Sequence, residues 1–558
     1  MSNFYLRILI GLSLFLIGIN TQAQIVPANQ STLTYTDLVF EYPAVENANY
    51  YVLSFKYKGH KQYFHQQVDS TQVSFCNLFR FGGNYTWNYQ AFDKKGKSLY
   101  SSPDYQFSIT NTRSYDTLIY SNLIRGNYTG KGYVLFDQSK NMNTWDGKEV
   151  WRMPVLKNFP LKGELNMRDL RMTRSGTFTT IITSSIAIEF DRDGNILWMA
   201  PESQLGTEKG KENYHHDFRK LDNGNYMVMS ETEEMVPLRV NKEMYKKLLG
   251  KDNIFEKNGK LFLMGVFGTL IEYSPDNKIV WKWNCGEYLG ERVLDGWLPE
   301  SMHANAFYYD EVNKQLYYGL RDISLIMKVD KVTGKVIDTF GSKLSPNQKN
   351  SSIGTFSLQH SIEKNKKGEL LIFNNDSSEQ AGVHSSLVIL NETSNLKNIL
   401  VKSVSCLIDS NDNGKALKYG SSEELPDGNI LLGIGATGRT VVIDPRDNYR
   451  IIQDIVMKSY VEKRWSPMVF YRSHFAPSLY PCYYSVNKSI GGITITNEGS
   501  EKDSYSIEFI LKDGSKKSFQ SNIVYSDDTF FQAFDLSTVS AVHVISSANN
   551  RFKRSLAW

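Results

Sequence analysis

Cysteine is scarce in this chain: Cys76, Cys285, Cys406 and Cys482 are the only four in 558 residues. They lie too far apart for a metal knuckle and are too few for a dense disulfide framework. Isolated buried thiols are expected, although one long-range bridge stays open in an oxidising compartment. A dominant charge sign is also missing, since 63 Lys and Arg against 59 Asp and Glu give a net charge of +4. Without dense basic runs the chain offers no footprint for nucleic acid or an acidic membrane surface. No apolar run beyond the first two dozen residues is long enough to span a bilayer. No G-x-x-x-x-G-K-[ST] loop is present to cradle a nucleotide, and no H-E-x-x-H or C-x-x-C spacing suggests zinc. Helical patterning is scarce throughout.

What is present begins with an export signal. Arg7 precedes the apolar run Ile8 to Ile19, and Thr21-Gln22-Ala23 suits cleavage before Gln24. The expected product is exported, to the periplasm in a Gram-negative source or otherwise to the medium. No cysteine follows the cleavage site, so no lipid anchor is expected. With 41% hydrophobic and 22% charged residues the remainder is globular, long enough for two or three domains. Residues 24–111 alternate apolar and polar positions in short runs such as YYVLSFKYKG and NYTWNYQAFDKKGK, the pattern of a small β-sandwich.

From about Thr112 a unit repeats: an apolar strand, a polar turn and a second apolar strand often ending in Trp. Copies are YVLFDQ with GKEVW, IAIEFDRDGNILW, TLIEYSPDNKIVW, LIMKVDKVTGKVI, SLVILNETSNLKNIL and VVIDPRDNYRII. Six such tails at the spacing of four-stranded blades predict a six-bladed β-propeller over residues 112–481. The closing strands come from Tyr115 to Ile124 or from YRSHFAPSLYP; the pattern does not choose. The charged stretch from about Glu231 to Lys260 reads as an insertion over one face. Residues 482–558 are strand-rich again and predict a small C-terminal β-sandwich-like domain. The fold class is therefore all-β.

Between the tails lie hairpins with a polar residue eight positions before a turn glycine. His216 precedes Gly224, and His360 precedes Gly368. A third hairpin starts at His303 and ends its return strand at Arg321. Blade-initial strands border the central channel, so these residues are expected to converge. One histidine in a β-rich protein is usually a structural hydrogen-bonder; three at related positions, of nine in the chain, point to a site. Arg321 can pair with Asp322 or clamp a tetrahedral anion such as sulfate or phosphate. Asn305, two residues beyond His303, is expected on the same strand face, where it could donate to an anion or orient an imidazole.

HHDF followed by NGN, H-x-N-A with an Arg ending the paired strand, and QH followed by GELLIFNND resemble the bacterial arylsulfate sulfotransferases. YGSSEELPDGNILLG and YRSHFAPSLYP fit the closing motifs of that family. The resemblance spans roughly residues 112–481 and implies an exported six-bladed propeller enzyme with an N-terminal sandwich. It implies transfer of a sulfuryl group from an aryl sulfate to a phenol by a ping-pong route, without a nucleotide donor or other cofactor. His360 matches the nucleophile that forms a sulfohistidine. His216, His303 and Arg321 match residues that bind and stabilise the sulfuryl group, and Asn305 matches the H-x-N asparagine of substrate binding.

The residue types suit that chemistry. A neutral imidazole is a competent nucleophile, and a covalent intermediate divides one hard transfer into two. Nearby cations stabilise the charge of the transferred group and keep His360 neutral. His303, or else His216, is expected to exchange the phenolic proton. Tyr214, Tyr308 and Tyr318 are expected to supply an aromatic rim. Departures from the family lie in FNNDSSEQAGVHSS, where a Ser-Arg pair is replaced by a segment carrying His384, in the missing close cysteine pair, and in the C-terminal extension. Two other readings follow from the same sequence: a non-catalytic propeller binding extracellular glycan or protein, and a sulfatase-like hydrolase using the same residues. Expected partners are a small aryl sulfate and a phenol, with no nucleic acid or membrane anchor; a homodimer is compatible with the sequence.

Overall fold

The computed structural model describes residues 25–111, 119–161, 165–183, 185–201, 214–291, 303–341, 355–376, 384–392, 400–408, 414–549 and 553–557. The expected leader lies outside the described residues. The fold is nearly all-β; the longest helix among the described residues is Lys242–Leu248. No helix of the described residues is long and apolar enough to cross a membrane. No disulfide joins the four cysteines, of which Cys76 is exposed and the other three are buried.

Strict alternation builds the N-terminal sheets. In Asn84–Phe92 the residues Tyr85, Trp87, Tyr89 and Ala91 are buried while their neighbours are half-buried or exposed. That strand is flanked by Tyr50–Tyr57 and Tyr105–Ile109, and Ser31–Leu33 adds a parallel edge. A second ladder, Leu38–Glu41 with Gln72–Phe75, places Phe40 edge-on to Trp87 at 4.9 Å between ring centroids. At the C-terminal end, the sheet of Tyr484–Ser489, Gly492–Asn497 and Thr529–Ala533 and the sheet centred on Tyr505–Leu511 share their own apolar cluster, including Ile495, Phe509 and Val544.

Between these lie six units, four of them four-stranded, the third with five strands and the sixth with six. The second is Met167–Met172, Phe178–Ile182, Ile186–Phe190 and Ile196–Met199 in meander order. The fourth (Ala304–Asp310 to Val336–Phe340) and fifth (His360–Lys364 to Leu400–Ser405) repeat it. The third starts at Phe218–Lys220 and the sixth at Ser421–Glu424. The tail tryptophans have a packing reason: each reaches the following unit. Trp151 stacks on Phe178 at 4.3 Å, Trp198 on Tyr226 at 3.9 Å, and Trp281 donates from its indole N–H to the Lys331 carbonyl at 3.1 Å, while Trp283 two residues on meets Tyr318 edge-on at 5.3 Å. Such aromatic pairs add about 0.5–1.5 kcal/mol beyond the area they bury.

Both segments considered for closure are used, in different places. Ser473–Ala476 is the inner strand of the first unit, antiparallel to Tyr133–Phe136, so the far end of the repeat region completes its beginning. Ile119–Gly126 instead pairs with Arg450–Val461 of the sixth unit. The inner strands are also stitched by six polar side-chain contacts, each crossing to the next unit. Asp137 accepts from the Asp169 backbone N–H, Asp169 from that of Phe218, and Asp217 from that of Phe307. Asn305 donates to the Gln359 carbonyl, Ser361 accepts from the Ser422 N–H, and Ser421 both donates to and accepts from the Ser473 backbone. The series thereby returns to the first unit. A hydrogen bond to a charged group is worth about 1.5–3 kcal/mol, so the contact to the ionised Asp169 is among the strongest of the series, whereas burial raises the Asp137 carboxyl to about 7.

The insertion is a long excursion of the third unit. Tyr226–Pro237 and Lys260–Tyr273 form one uninterrupted antiparallel ladder, from Tyr226 opposite Tyr273 to Pro237 opposite Phe262. Its helix Lys242–Leu248 starts where Asn241 Oδ1 accepts from the Met244 N–H at 2.8 Å.

Candidate functional site

In five of the six units the inner strand carries a residue in the left-handed region at or near its start: Asp169 (φ 57°), His216 (φ 63°), His303 (φ 42°), Ser361 (φ 52°) and Tyr419 (φ 67°). Such backbone is costly for residues with a Cβ and clusters where a fold holds a functional surface. Here the residue that forms the contact to the next unit stands directly beside a basic or imidazole side chain: Arg168 beside Asp169, His216 beside Asp217, His360 beside Ser361.

His216, His303 and His360 come together. The His216 and His303 rings are 4.9 Å apart, with their Nε2 atoms at 3.1 Å. Tyr471 stands between His216 and His360, at 6.1 and 6.2 Å from their ring centroids. Tyr419 packs edge-on against Tyr471 at 5.4 Å and faces His360 at 6.5 Å. Arg321 ion-pairs with Asp322 at 2.7 Å and bonds the Leu417 carbonyl, and its charge acts on His360.

His360 is buried and its tautomer follows from its neighbour. Asn375 donates from Nδ2 to the Ala416 and Tyr419 carbonyls at 2.6 and 2.9 Å. Carbonyls accept only, so the amide orientation is fixed and Oδ1 must face His360 Nδ1, 2.6 Å away. His360 therefore donates from Nδ1 and carries its lone pair on Nε2. Burial first, and then the charges of Arg321, Arg472 and His303, push the imidazole down to about 3, against the opposing bond to Asn375. His215 is likewise pushed down to about 3, by burial first and then by His303 and Arg168. His216 lies well below the ordinary imidazole range through burial, His215, His303 and Arg168.

A neutralised ionic layer lies beneath. Arg472 is fully buried, with Nη1 2.8 Å from Asp169 and 3.0 Å from Asp217, and Nη2 donating to the Asn305 carbonyl at 3.1 Å. Arg171 reaches Asp169 at 2.9 Å and Glu363 at 3.1 Å, while Arg219 grips both Glu363 oxygens at 2.7 and 3.2 Å. Burial alone would raise the Asp169 carboxyl; Arg171, Arg472 and His474 outweigh it and hold the group well below the usual range. Three guanidinium groups face three carboxylates in this layer. Arg321 and Arg168 lie outside it, on the histidine side, where a bound anion would meet them.

Asn305 sits differently from the expectation of a shared face with His303. A register shift between Ala304 and Ala306 breaks the alternation, and the fully buried Asn305 amide points across to Gln359. The expected tyrosine rim is corrected for two residues. Tyr214 is buried with its hydroxyl on the Pro201 carbonyl and Tyr273, and Tyr318 is buried against Trp283, because both side chains fall on the packed faces of their units. Tyr308 lies over Arg219, 5.6 Å from its guanidinium, in the ionic layer. The aromatic groups beside the histidines are Tyr419 and Tyr471. Sequence reasoning missed these two, with Arg168, Asn375 and Arg472; the signal for Arg168 was its place immediately before a turn aspartate, as with His216.

No curated protein matches this chain in sequence. Among solved structures it is similar to a luciferin-regenerating enzyme (10% identity, 64% of this chain and 99% of that one, TM-score 0.30). It is also similar to the periplasmic gluconolactonase PpgL of Pseudomonas aeruginosa (11% identity, 76% and 99%, TM-score 0.28). Neither superposition reaches a TM-score of 0.5, and neither fold nor activity is taken from them. The family model described as Arylsulfotransferase (ASST) matches residues 135–399, which hold His216, His303, Arg321 and His360. By that match residues 135–399, just under half of the chain, are similar to the arylsulfotransferase family of enzymes.

Proposed function

We propose that the protein moves a sulfuryl group from an aryl sulfate ester to a phenol through a sulfohistidine on His360, in the channel of a closed six-bladed β-propeller. The observation that carries this reading is the fixed bond from His360 Nδ1 to Asn375, which leaves Nε2 as the nucleophilic atom. In the first step that lone pair attacks sulfur, the sulfur–oxygen bond to the aryl group breaks, and the phenolate departs. The sulfated ring is cationic, so its Nδ1–H bond to Asn375 strengthens as charge develops. In the second step an acceptor phenol oxygen attacks sulfur, the sulfur–nitrogen bond breaks, its electron pair returns to Nε2, and the phenolic proton leaves.

Arg321 and Arg168 offset charge on the sulfuryl oxygens, while His303 and His216 stand where a proton is exchanged. Asn305 acts as a positioning residue, holding the His360 strand through Gln359. The six polar contacts and the pairing of Ser473–Ala476 with Tyr133–Phe136 support closure of the propeller. Residues 24–111 and 482–558 are read as separate sandwich domains, and the apolar leader before Gln24 supports export. Incubation with 4-nitrophenyl sulfate, with and without phenol, followed by mass spectrometry of the His360 peptide, tests the mechanism. Phenol-dependent turnover with a labile sulfuryl adduct is expected. Full activity in His360→Ala removes the mechanism, hydrolysis indifferent to phenol replaces it with a sulfatase, and glycan binding without turnover replaces it with a binding module.

A further inference from the structure

Beside the nucleophile lies a row of imidazoles that continues past the two given a part in the transfer. His303 Nε2 is 3.1 Å from His216 Nε2, and His216 Nδ1 is 2.7 Å from His215 Nδ1. His215 Nε2 in turn lies 3.8 Å from Glu231 Oε1, the end of the row. Both nitrogens of His216 are thus engaged by imidazoles, and each contact joins like-named atoms. A neutral imidazole bears one N–H and one lone pair, so such a row can be filled in only two ways, with every donor pointing one way or the other. His303 lies at the exposed start of the row; His215 is buried, and the Glu231 carboxylate is 40% exposed at the other end. Glu231 belongs to the ladder Tyr226–Pro237, where the excursion leaves the third unit, so the row runs from the reaction centre to the wall of the insertion.

We infer that His303, His216 and His215 form a proton relay that carries the acceptor's phenolic proton to Glu231 and from there to solvent. The inference rests on the sulfotransfer reading above. As the phenol oxygen bonds to sulfur, its proton passes to the His303 ring, and His303 releases Nε2–H to His216 Nε2. His216 releases Nδ1–H to His215 Nδ1, and His215 releases Nε2–H to Glu231 once the part-exposed carboxylate closes the 3.8 Å gap to hydrogen-bond range; Glu231 then loses the proton to water. Atoms and charge balance: one O–H bond is lost at the phenol, one forms at the carboxylate, and each imidazole ends in its other tautomer. The donor half-reaction needs no such passage when its leaving group is acidic. Burial and the charge of Arg168 favour transit over storage at His215 and His216. A proton delivered to either ring moves on because its imidazolium is disfavoured there.

His215 and Glu231 are positioning residues on this reading, acting through His216 and His303, and the test reads the acceptor's acidity rather than the overall rate. The full-length protein, loaded with 4-methylumbelliferyl sulfate, is offered phenol or 4-nitrophenol, which when ionised has no proton to hand over. With both acceptors compared at about pH 8.5, where 4-nitrophenol is largely ionised and phenol is not, the transfer rate to phenol in His215→Leu and in Glu231→Gln is expected to fall at least tenfold relative to that for 4-nitrophenol. Added imidazole buffer restores part of the loss in Glu231→Gln. An equal fall for both acceptors marks a structural role and overturns the relay, as does a ratio like that of the wild type. Fluorescence of released 4-methylumbelliferone in a first-turnover burst separates the two readings: a wild type without the burst loses the sulfohistidine itself, and the relay with it.

Discussion

Acid is the perturbation that most directly interrogates His360. An ordinary imidazole titrates near 6.5, so at pH 5 only about 3% is neutral and a rate that needs the free base drops about thirty-fold from its plateau. His360 is pushed down to about 3, so at pH 5 about 99% of it keeps the lone pair by the same relation. The sign follows from the active form being the neutral one: a depressed value preserves activity on acidification, and loss begins only as pH approaches the folded-state value. The assay is the first-turnover burst of 4-nitrophenolate from 4-nitrophenyl sulfate, read by pH-jump quench between pH 8 and pH 5. A burst rate changing by less than about three-fold is expected, against the thirty-fold of an unperturbed ring. The matched variant is Asn375→Asp. A carboxylate placed against Nδ1 favours imidazolium, and opposite charges at that range move a pKa by about 1–3 units, which opens an acid limb between about pH 4 and 6. A thirty-fold fall in the wild type, or an Asn375→Asp profile as flat as the wild type's, refutes the assignment of Asn375 and of the neutral nucleophile.

Arg321→Ala should lower kcat/KM for the donor by about 10²–10³-fold, the usual cost of removing one donor from a preorganised oxyanion site, with Arg321→Lys between it and the wild type; unchanged donor kinetics would sink the clamp. Arg472→Met should destabilise the fold by about 3–5 kcal/mol, because it leaves Asp169 and Asp217 buried without their shared guanidinium. A thermal melt coincident with the wild type would contradict that layer.

The all-β character and the outer pair of every unit were legible, because a strand, a polar turn and a Trp-ended strand leave a local record. Trp151 and Trp198 mark where each unit meets the next, and their spacing repeats along the chain. What joins the units is a single polar residue per inner strand, such as Asp169 or Ser361, in a left-handed turn that no periodicity announces. The two candidate closing segments looked alike as β sequence. Only long-range pairing assigned Ser473–Ala476 to the first unit and Ile119–Gly126 to the sixth. Repeat position correctly suggested that His216, His303 and His360 would lie together. The same alternation misplaced Tyr214 and Tyr318, whose rings fall on buried faces, and could not foresee the register shift at Asn305. Asn375 was hidden because its role depends on Ala416 and Tyr419, more than forty residues away.

The strand Ser473–Ala476 has a consequence for biogenesis. It follows directly on Tyr471 and Arg472, and it docks on Tyr133–Phe136, more than three hundred residues upstream. A nascent chain that holds His216, His303 and His360 but ends before Tyr471 has no ring between His216 and His360 and no Arg472 guanidinium against Asp169 and Asp217. Contacts of such sequence separation form late and slowly. On the proposed mechanism, chemical competence therefore arrives as a single event near the end of synthesis, and a product cut short before residue 471 is expected to be inert even though His360 is already in it.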